Sequence, residues 1–258
     1  MESALALRAD ALRALHHRAR PLVLANAWDA RSARLVVAAG FPVVATSSAA
    51  LVASLGYEDG SQADPDAVFA ALARITRAVD VPVTADIEDG YGLPAAELAQ
   101  RLVHAGAVGC NLEDSDHGPG SEPLVPAEQF AARVSALKAG GRELGVDLVV
   151  NARVDVHVRQ AGPPETRLDE ALRRSRLYLA AGADCVYPIT VSDEETARAL
   201  IAGTPGPVNL LARPDPADVT RLASYGAARI SVGSGLARLA DQRISEVAEQ
   251  LAQAVPAS

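Results

Sequence analysis

Residues 81–113 read VPVTADIEDGYGLPAAELAQRLVHAGAVGCNLE. The opening run VPVTAD is short, apolar and rich in valine and threonine, which suits a buried strand. The segment that follows has helical character and stops at Ala-Gly (105–106), where glycine supplies a left-handed C-cap. A second β-branched run, AVGCNLE, comes next. Strand, helix and strand in this order form a βαβ unit, which demands a parallel pair.

The same unit repeats on both sides. Runs of strand character stand at LVLAN (22–26), VVAT (43–46), VPVTAD (81–86), AVGCNLE (107–113), LVVNARVD (148–155), CVYPIT (185–190), PVNLLA (207–212) and RISVG (229–233). Helical patterns fall between them, among them DARSARLVVAAG, DPDAVFAALARITRAV and PAEQFAARVSALKAG. Glycine stops recur at Gly40, Gly106 and Gly182, and Ser192 and Asp215 stand where N-caps are expected. Eight strands alternating with helices predict a (β/α)8 TIM barrel of class α/β. The expectation is a single domain over 1–258, with an N-terminal helix in 1–20. The Gly- and Pro-rich segment 115–126 is a candidate active-site lid.

Composition narrows the function. The 258 residues are 49% hydrophobic and 22% charged, as in a soluble globular protein. Aromatics are only 3%, so the core must be built from Ala, Val and Leu. A net charge of −8 argues against nucleic acid as partner. No apolar run reaches the roughly 20 residues of a membrane span, and the charged N-terminus lacks a signal-peptide core. Two separated cysteines, Cys110 and Cys185, fit a reduced, cytoplasmic protein. The only lysine is Lys138, on a predicted helix. No strand-end lysine is available to form an imine, which argues against a Schiff-base aldolase.

In a TIM barrel the chemistry sits at the C-terminal ends of the strands. There the sequence places Thr46, Ser47 and Ser48, then Tyr57, Glu58 and Asp59. The third run ends in Asp86, Glu88 and Asp89. The fourth ends in Asn111, Glu113 and Asp114, the fifth in Asn151, Arg153 and Asp155, and the seventh carries Asn209 and Arg213. Carboxylates gathered from neighbouring strands need a cation, and an all-oxygen set suits Mg²⁺, with Mn²⁺ as an alternative. Asp86 and Glu88 are expected in phase on one strand face. Arg153 has the fork geometry to clamp a substrate carboxylate; the plainer reading is a structural salt bridge.

The joint pattern of LANAWDARSARLVVAAGF, ATSSAALVASLGYEDG, PVTADIEDGYG, VGCNLEDSDHG, NARVD and RISVGSGLAR resembles the isocitrate lyase/phosphoenolpyruvate mutase superfamily over about residues 20–240. The resemblance implies Asp86 as direct Mg²⁺ ligand, with Asp59, Glu88 and Glu113 holding the ion through its waters. It implies Ser47 and the backbone near Ser48 and Ala49 as the grip on an α-oxo acid, opposed by Arg153. Asp86 and Asn209 complete the substrate-binding candidates. It also implies a homodimer or homotetramer, since family members exchange a C-terminal helix.

The sequence departs from the family at two points. Its loop SDHGPGSEPLV has neither the cysteine of the lyases nor the lysine and asparagine of the mutases and phosphonopyruvate hydrolases. Ile189 stands where the family often has His or Glu. Candidates for the missing acid/base are His117, Asp116, Tyr57 and Tyr91. The implied activity is Mg²⁺-dependent cleavage of a C–C bond in a small α-oxo or hydroxy carboxylic acid through an enolate. Oxaloacetate-type decarboxylation, C–P bond hydrolysis and a catalytically silent α-oxo acid binder are the alternatives. A phosphate nest at VGSG (232–235) is a weaker reading of another type.

Overall fold

The computed structural model describes residues 3–60, 63–117, 122–191 and 193–254. Every strand run expected from sequence forms a strand. The first is split at Ala25 into β1 (Leu22–Leu24) and β2 (Asn26–Ala27). The others are β3 (Val44–Thr46), β4 (Val83–Asp86), β5 (Gly109–Glu113), β6 (Val149–Val154), β7 (Cys185–Pro188), β8 (Asn209–Leu211) and β9 (Arg229–Ser231). All pairings are parallel. β2 through β7 follow one another in order, and β1 pairs with β9, which pairs with β8.

The ring closes at two places. Val186 of β7 bridges Val208, next to β8. At the other join β1 and β2 are one strand, bonded to β9 by its first half and to β3 by its second. The split at Ala25 is therefore a change of partner, which a barrel needs where staggered neighbours take over from one another.

Helices α1 (Ala4–Leu15), α2 (Ala30–Ala38), α3 (Ser48–Ser54), α4 (Pro65–Thr76), α5 (Ala95–His104), α6 (Ala127–Glu143), α7 (Arg167–Ala180), α8 (Glu194–Gly203), α9 (Pro216–Ser224) and α10 (Gly235–Gln253) complete the chain. Each crossover helix turns one apolar stripe to the strands, such as Leu98, Ala99 and Leu102 on α5 and Phe130, Val134 and Leu137 on α6. Truncating one of these leucines to alanine costs about 2–5 kcal/mol in a core of this kind.

The stop signals work as read. Gly40, Gly106 and Gly182 have φ of 92°, 84° and 103°, and the Asp215 side chain accepts from Ala217 N. Ser192 lies outside the described residues; α8 is capped by Asp193.

Inside the barrel, register sets layers. Asp86, Asn111, Asn151 and Cys185 are successive partners across β4, β5, β6 and β7. One layer towards the C-terminal ends, Glu113, Arg153 and Tyr187 follow one another in the same way. Side chains of one layer share the inward face. Lys138 is on α6 and buried, bonded to Leu148 O and Asp184. It is a structural cation and far from imine chemistry.

Candidate active site

The C-terminal mouth of the barrel opens into a cavity of about 610 Å³. Ser47, Ser48, Ala49, Asp59, Asp86, Asn111, Arg153 and Tyr187 are among its lining residues. A side lobe of about 310 Å³ shares Asp59 and Arg153 with it and adds Glu88, Glu113, Ser115 and His117. The four carboxylates singled out in the sequence thus meet at one mouth.

Asp86 ends β4. Its Oδ2 accepts from both the backbone N–H and the hydroxyl of Ser48, at 3.1 and 2.9 Å. Its Oδ1 has no hydrogen-bond partner among the described residues. The Ser48 N–H is therefore already committed to Asp86. Ser47 caps α3, its Oγ accepting from Ala50 N at 3.4 Å.

Glu88 reaches the site differently from the sequence expectation. β4 stops at Asp86, so the two carboxylates are not in phase on one strand. Glu88 sits in the turn beyond, at φ 51°, and Tyr91 at φ 55°. A non-glycine residue in the left-handed region is uncommon, and two within four residues mark a strained turn of the kind found at functional sites. Gly90, at φ 91°, adopts a backbone that strains any other residue, and a Cβ there would also press on Arg133 Nη2 and Leu98 Cδ1, at 2.5 and 2.6 Å. The strained turn directs Glu88 into the side lobe, where its Oε2 accepts from Gly60 N at 3.1 Å.

Glu113 and Arg153 are register partners. Arg153 Nη1 contacts Glu113 Oε2 at 2.6 Å, and Nε and Nη2 fork onto the two oxygens of Asp155 at 2.6 and 2.8 Å. Asp155 also accepts from Ser115 Oγ at 2.5 Å. Its backbone N–H donates to Asp114 Oδ1, and Asp114 Oδ2 takes Arg174 and Tyr178. Arg153 is thus both the structural ion pair and a wall of the cavity.

The other oxygen of Glu113 contacts His117 Nε2 at 2.7 Å. This hydrogen bond holds the His117 pKa above its ordinary value. Burial drives the Glu113 carboxyl upward, with Arg153 and His117 pulling the other way. The pair is suited to holding one proton beside the cavity.

The other acid/base candidates are placed less directly. Tyr57 packs half-buried against the core and is not among the lining residues of either lobe. Tyr91 is buried, and burial followed by Glu88 holds its phenol well above the usual range; it supports Glu88 from behind. Asp116 lines a neighbouring recess with Asp89 and Arg133. Asn209 is fully buried beneath the mouth, bonded to Ser231 Oγ at 3.3 Å, and is not among the residues lining the cavity. The base of the candidate lid is pinned by a Ser115–Leu124 bridge; residues 118–121 lie outside the described residues.

Burial and then Asp86 raise the Asp59 pKa, the mark of carboxylates crowded together. Arg153, the strand-borne cation at the mouth, is already shared by Glu113 and Asp155. Among the described residues no three acidic, histidine or cysteine side chains close round a point on their own. Mg²⁺ keeps several waters and takes few direct protein ligands, all of them oxygen. An all-oxygen set with a free oxygen on Asp86 fits; a softer metal would look for nitrogen or sulfur. Cys110 offers none, since it is buried within the barrel wall and its thiol is pushed up to about 12 by burial.

Comparison with known proteins identifies the family. The phosphoenolpyruvate phosphomutase family matches residues 12–252. The chain belongs to that family, within the isocitrate lyase/phosphoenolpyruvate mutase superfamily. An uncharacterised protein of Mycobacterium tuberculosis is 35% identical over 250 residues, covering 94% of this chain and 91% of its own. The 2-methylisocitrate lyase of Bacillus subtilis is 30% identical over 72% of this chain and 61% of its own. An oxaloacetate decarboxylase of Bradyrhizobium is 28% identical over 84% and 76%. Among solved structures, a provisionally assigned phosphonomutase from Burkholderia cenocepacia superposes with a TM-score of 0.87 at 38% identity, covering 94% of this chain and 99% of that one. A phosphonopyruvate hydrolase holding oxalate and Mg²⁺ gives 0.81 at 25% identity, covering 97% and 92%.

Proposed function

We propose that this protein is a Mg²⁺-dependent lyase that cleaves a C–C bond next to the carbonyl of a small α-oxo or hydroxy carboxylic acid. The observation that carries the reading is the meeting of Asp59, Asp86, Glu88 and Glu113 at one mouth that Arg153 also lines. Asp86 would hold the ion, with Asp59, Glu88 and Glu113 supporting it at the same mouth. Mn²⁺ can take its place. When bound, the ion supplies positive charge to the oxygen of the enolate that C–C cleavage leaves.

The protein's own groups do the rest. Arg153, held by Asp155, presents its remaining N–H groups to the substrate carboxylate. Ser47 and the Ala49 N–H grip the same carboxylate from the opposite wall. His117, with Glu113 behind it, gives or takes the proton at the enolate carbon. Tyr57 and Tyr91 are reserve candidates for that step. The protein acts as one (β/α)8 unit over 1–258, in the cytoplasm, as a homodimer or homotetramer. The exposed Leu239, Ile244 and Leu251 of α10 support an exchanged helix between subunits.

Decarboxylation of an oxaloacetate-like acid is a second reading through the same enolate. It is favoured by the burial of Cys110, which leaves no thiol at the mouth for the usual lyase route.

The test is an NMR screen of α-oxo and hydroxy di- and tricarboxylic acids with Mg²⁺. A pair of cleavage products, lost when EDTA is added, is expected. CO₂ with a single product would select decarboxylation. Thermal stabilisation by the acids without turnover would overturn the enzyme reading in favour of a silent binder.

A further inference from the structure

Arg229 opens β9 and is the largest fully buried side chain among the described residues. No carboxylate among them lies within salt-bridge distance. Nε and Nη1 have no hydrogen-bond partner. A charge buried this way costs several kcal/mol in general, and replacing it by an apolar side chain is often neutral or stabilising. Such a residue calls for a physical reason.

Its one hydrogen bond supplies the reason. Nη2 donates to Asn111 Oδ1 at 3.1 Å. The same oxygen accepts from Asn151 Nδ2 at 2.9 Å. A guanidinium has no acceptor, so the orientation of the Asn111 amide is settled: oxygen down, nitrogen up. Asn111 lines the cavity and stands beside Asp86 in the β4–β5 register. Its Nδ2 has no hydrogen-bond partner among the described residues. The barrel floor therefore offers the cavity a fixed N–H donor next to the residue assigned to the metal.

The geometry points to Asn111 as a substrate-contacting donor that binds a carboxylate or enolate oxygen at the floor of the site, with Arg229 as the positioning residue that keeps its N–H₂ group turned upward. The inference rests on the α-oxo acid reading of the cavity and adds a specificity element to it. Leucine at 111 would leave the floor apolar and Arg229 bare. Aspartate would turn a donor into a second negative charge while giving Arg229 a counter-ion.

The probe is oxalate, a planar dicarboxylate that mimics the enolate of an α-oxo acid. Its affinity is measured by calorimetry at saturating Mg²⁺, with the melting temperature of each variant recorded. Asn111→Asp is expected to weaken oxalate binding at least about tenfold, the scale of one hydrogen bond to a charged ligand, with the melting temperature unchanged or raised. Arg229→Met lets the amide rotate and is expected to weaken oxalate binding by a smaller factor without lowering the melting temperature. Oxalate affinity unchanged in both variants would overturn the inference, as would loss of melting temperature with affinity intact. Failure of the wild-type protein to bind oxalate would overturn the underlying reading of the cavity, and this inference with it.

Discussion

Ser48 gives both its backbone N–H and its hydroxyl to a single oxygen of Asp86, at 3.1 and 2.9 Å. This leaves the other oxygen of Asp86 open and fixes its direction. The helix α3 begins at Ser48, so the start of one crossover helix aims the carboxylate of the neighbouring strand. Supports of this type, one step removed from a metal, change its affinity by about 10–100-fold when removed. Ser48→Ala keeps the N–H bond and loses the hydroxyl. It is expected to raise the Mg²⁺ concentration needed for half-activation by about tenfold, with little change in melting temperature. Titration of activity against free Mg²⁺ checks it.

Asp155 holds Arg153 by a fork and is itself fully buried. Removing one partner of a buried pair leaves the other charge uncompensated and costs about 3–5 kcal/mol. Asp155→Asn is expected to destabilise the fold by that order and to weaken substrate binding, because Arg153 is no longer held against the cavity wall. Denaturant unfolding reads the first effect, and KM for the substrate found in the NMR screen reads the second. A stable variant with unaltered KM would show that Arg153 is positioned by Glu113 alone.

The Glu113–His117 contact predicts a linked titration. The hydrogen bond from Glu113 raises the His117 pKa. Glu113→Gln removes the charge that favours the imidazolium, so the His117 pKa should fall below its wild-type value. NMR titration of the His117 ring protons measures the shift. His117→Gln is expected to reduce kcat by about 10²–10⁴-fold, the range for loss of a general acid or base. A much smaller loss would move the proton-transfer role to another residue of the mouth.

His16 gives a pH effect remote from the site. Burial, followed by Arg229, lowers its pKa to about 4, and its Nδ1 bonds Leu12 O. The unfolded chain takes up this proton near pH 6.5, while the folded chain resists until about pH 4. The unfolded state therefore binds more protons in that window, and stability falls as pH drops through it. The loss from this one group is ~3 kcal/mol at most, from 1.36 kcal/mol per unit. His16→Gln should flatten the dependence of unfolding free energy between about pH 6.5 and 4. An unchanged slope would reject the role of His16.

The barrel was legible because each strand is a compact β-branched run and several helices stop at Ala-Gly. Periodicity does not depend on distant contacts, so it survives in one dimension. The acidic rim was legible for the same reason, since barrel strands carry their chemistry at one end. What failed was local geometry. Alternation predicts Glu88 on the strand beside Asp86, but the chain leaves the strand at Asp86 and enters a left-handed turn that alternation cannot foresee. Asn209, a substrate-binding candidate from sequence, is buried at the start of a three-residue strand and bonded to Ser231, which lines the cavity. An arginine at a strand start, such as Arg229, reads as surface charge; only the assembled barrel buries it. The change of partner at Ala25 was equally hidden, being a property of two neighbouring strands.

In the proposed reaction, metal-assisted enolate formation centres on Asp86. The most direct measurement follows deuterium entry at C3 of pyruvate, oxaloacetate and 2-oxoglutarate in D₂O by NMR, with and without Mg²⁺, for the wild type and Asp86→Ala. The expected result is exchange into at least one acid beyond the metal-only control, requiring both protein and Mg²⁺ and lost in Asp86→Ala. Exchange that persists unchanged in Asp86→Ala would contradict the metal assignment, and exchange no faster than the metal-only control for every acid would contradict the enolate chemistry itself.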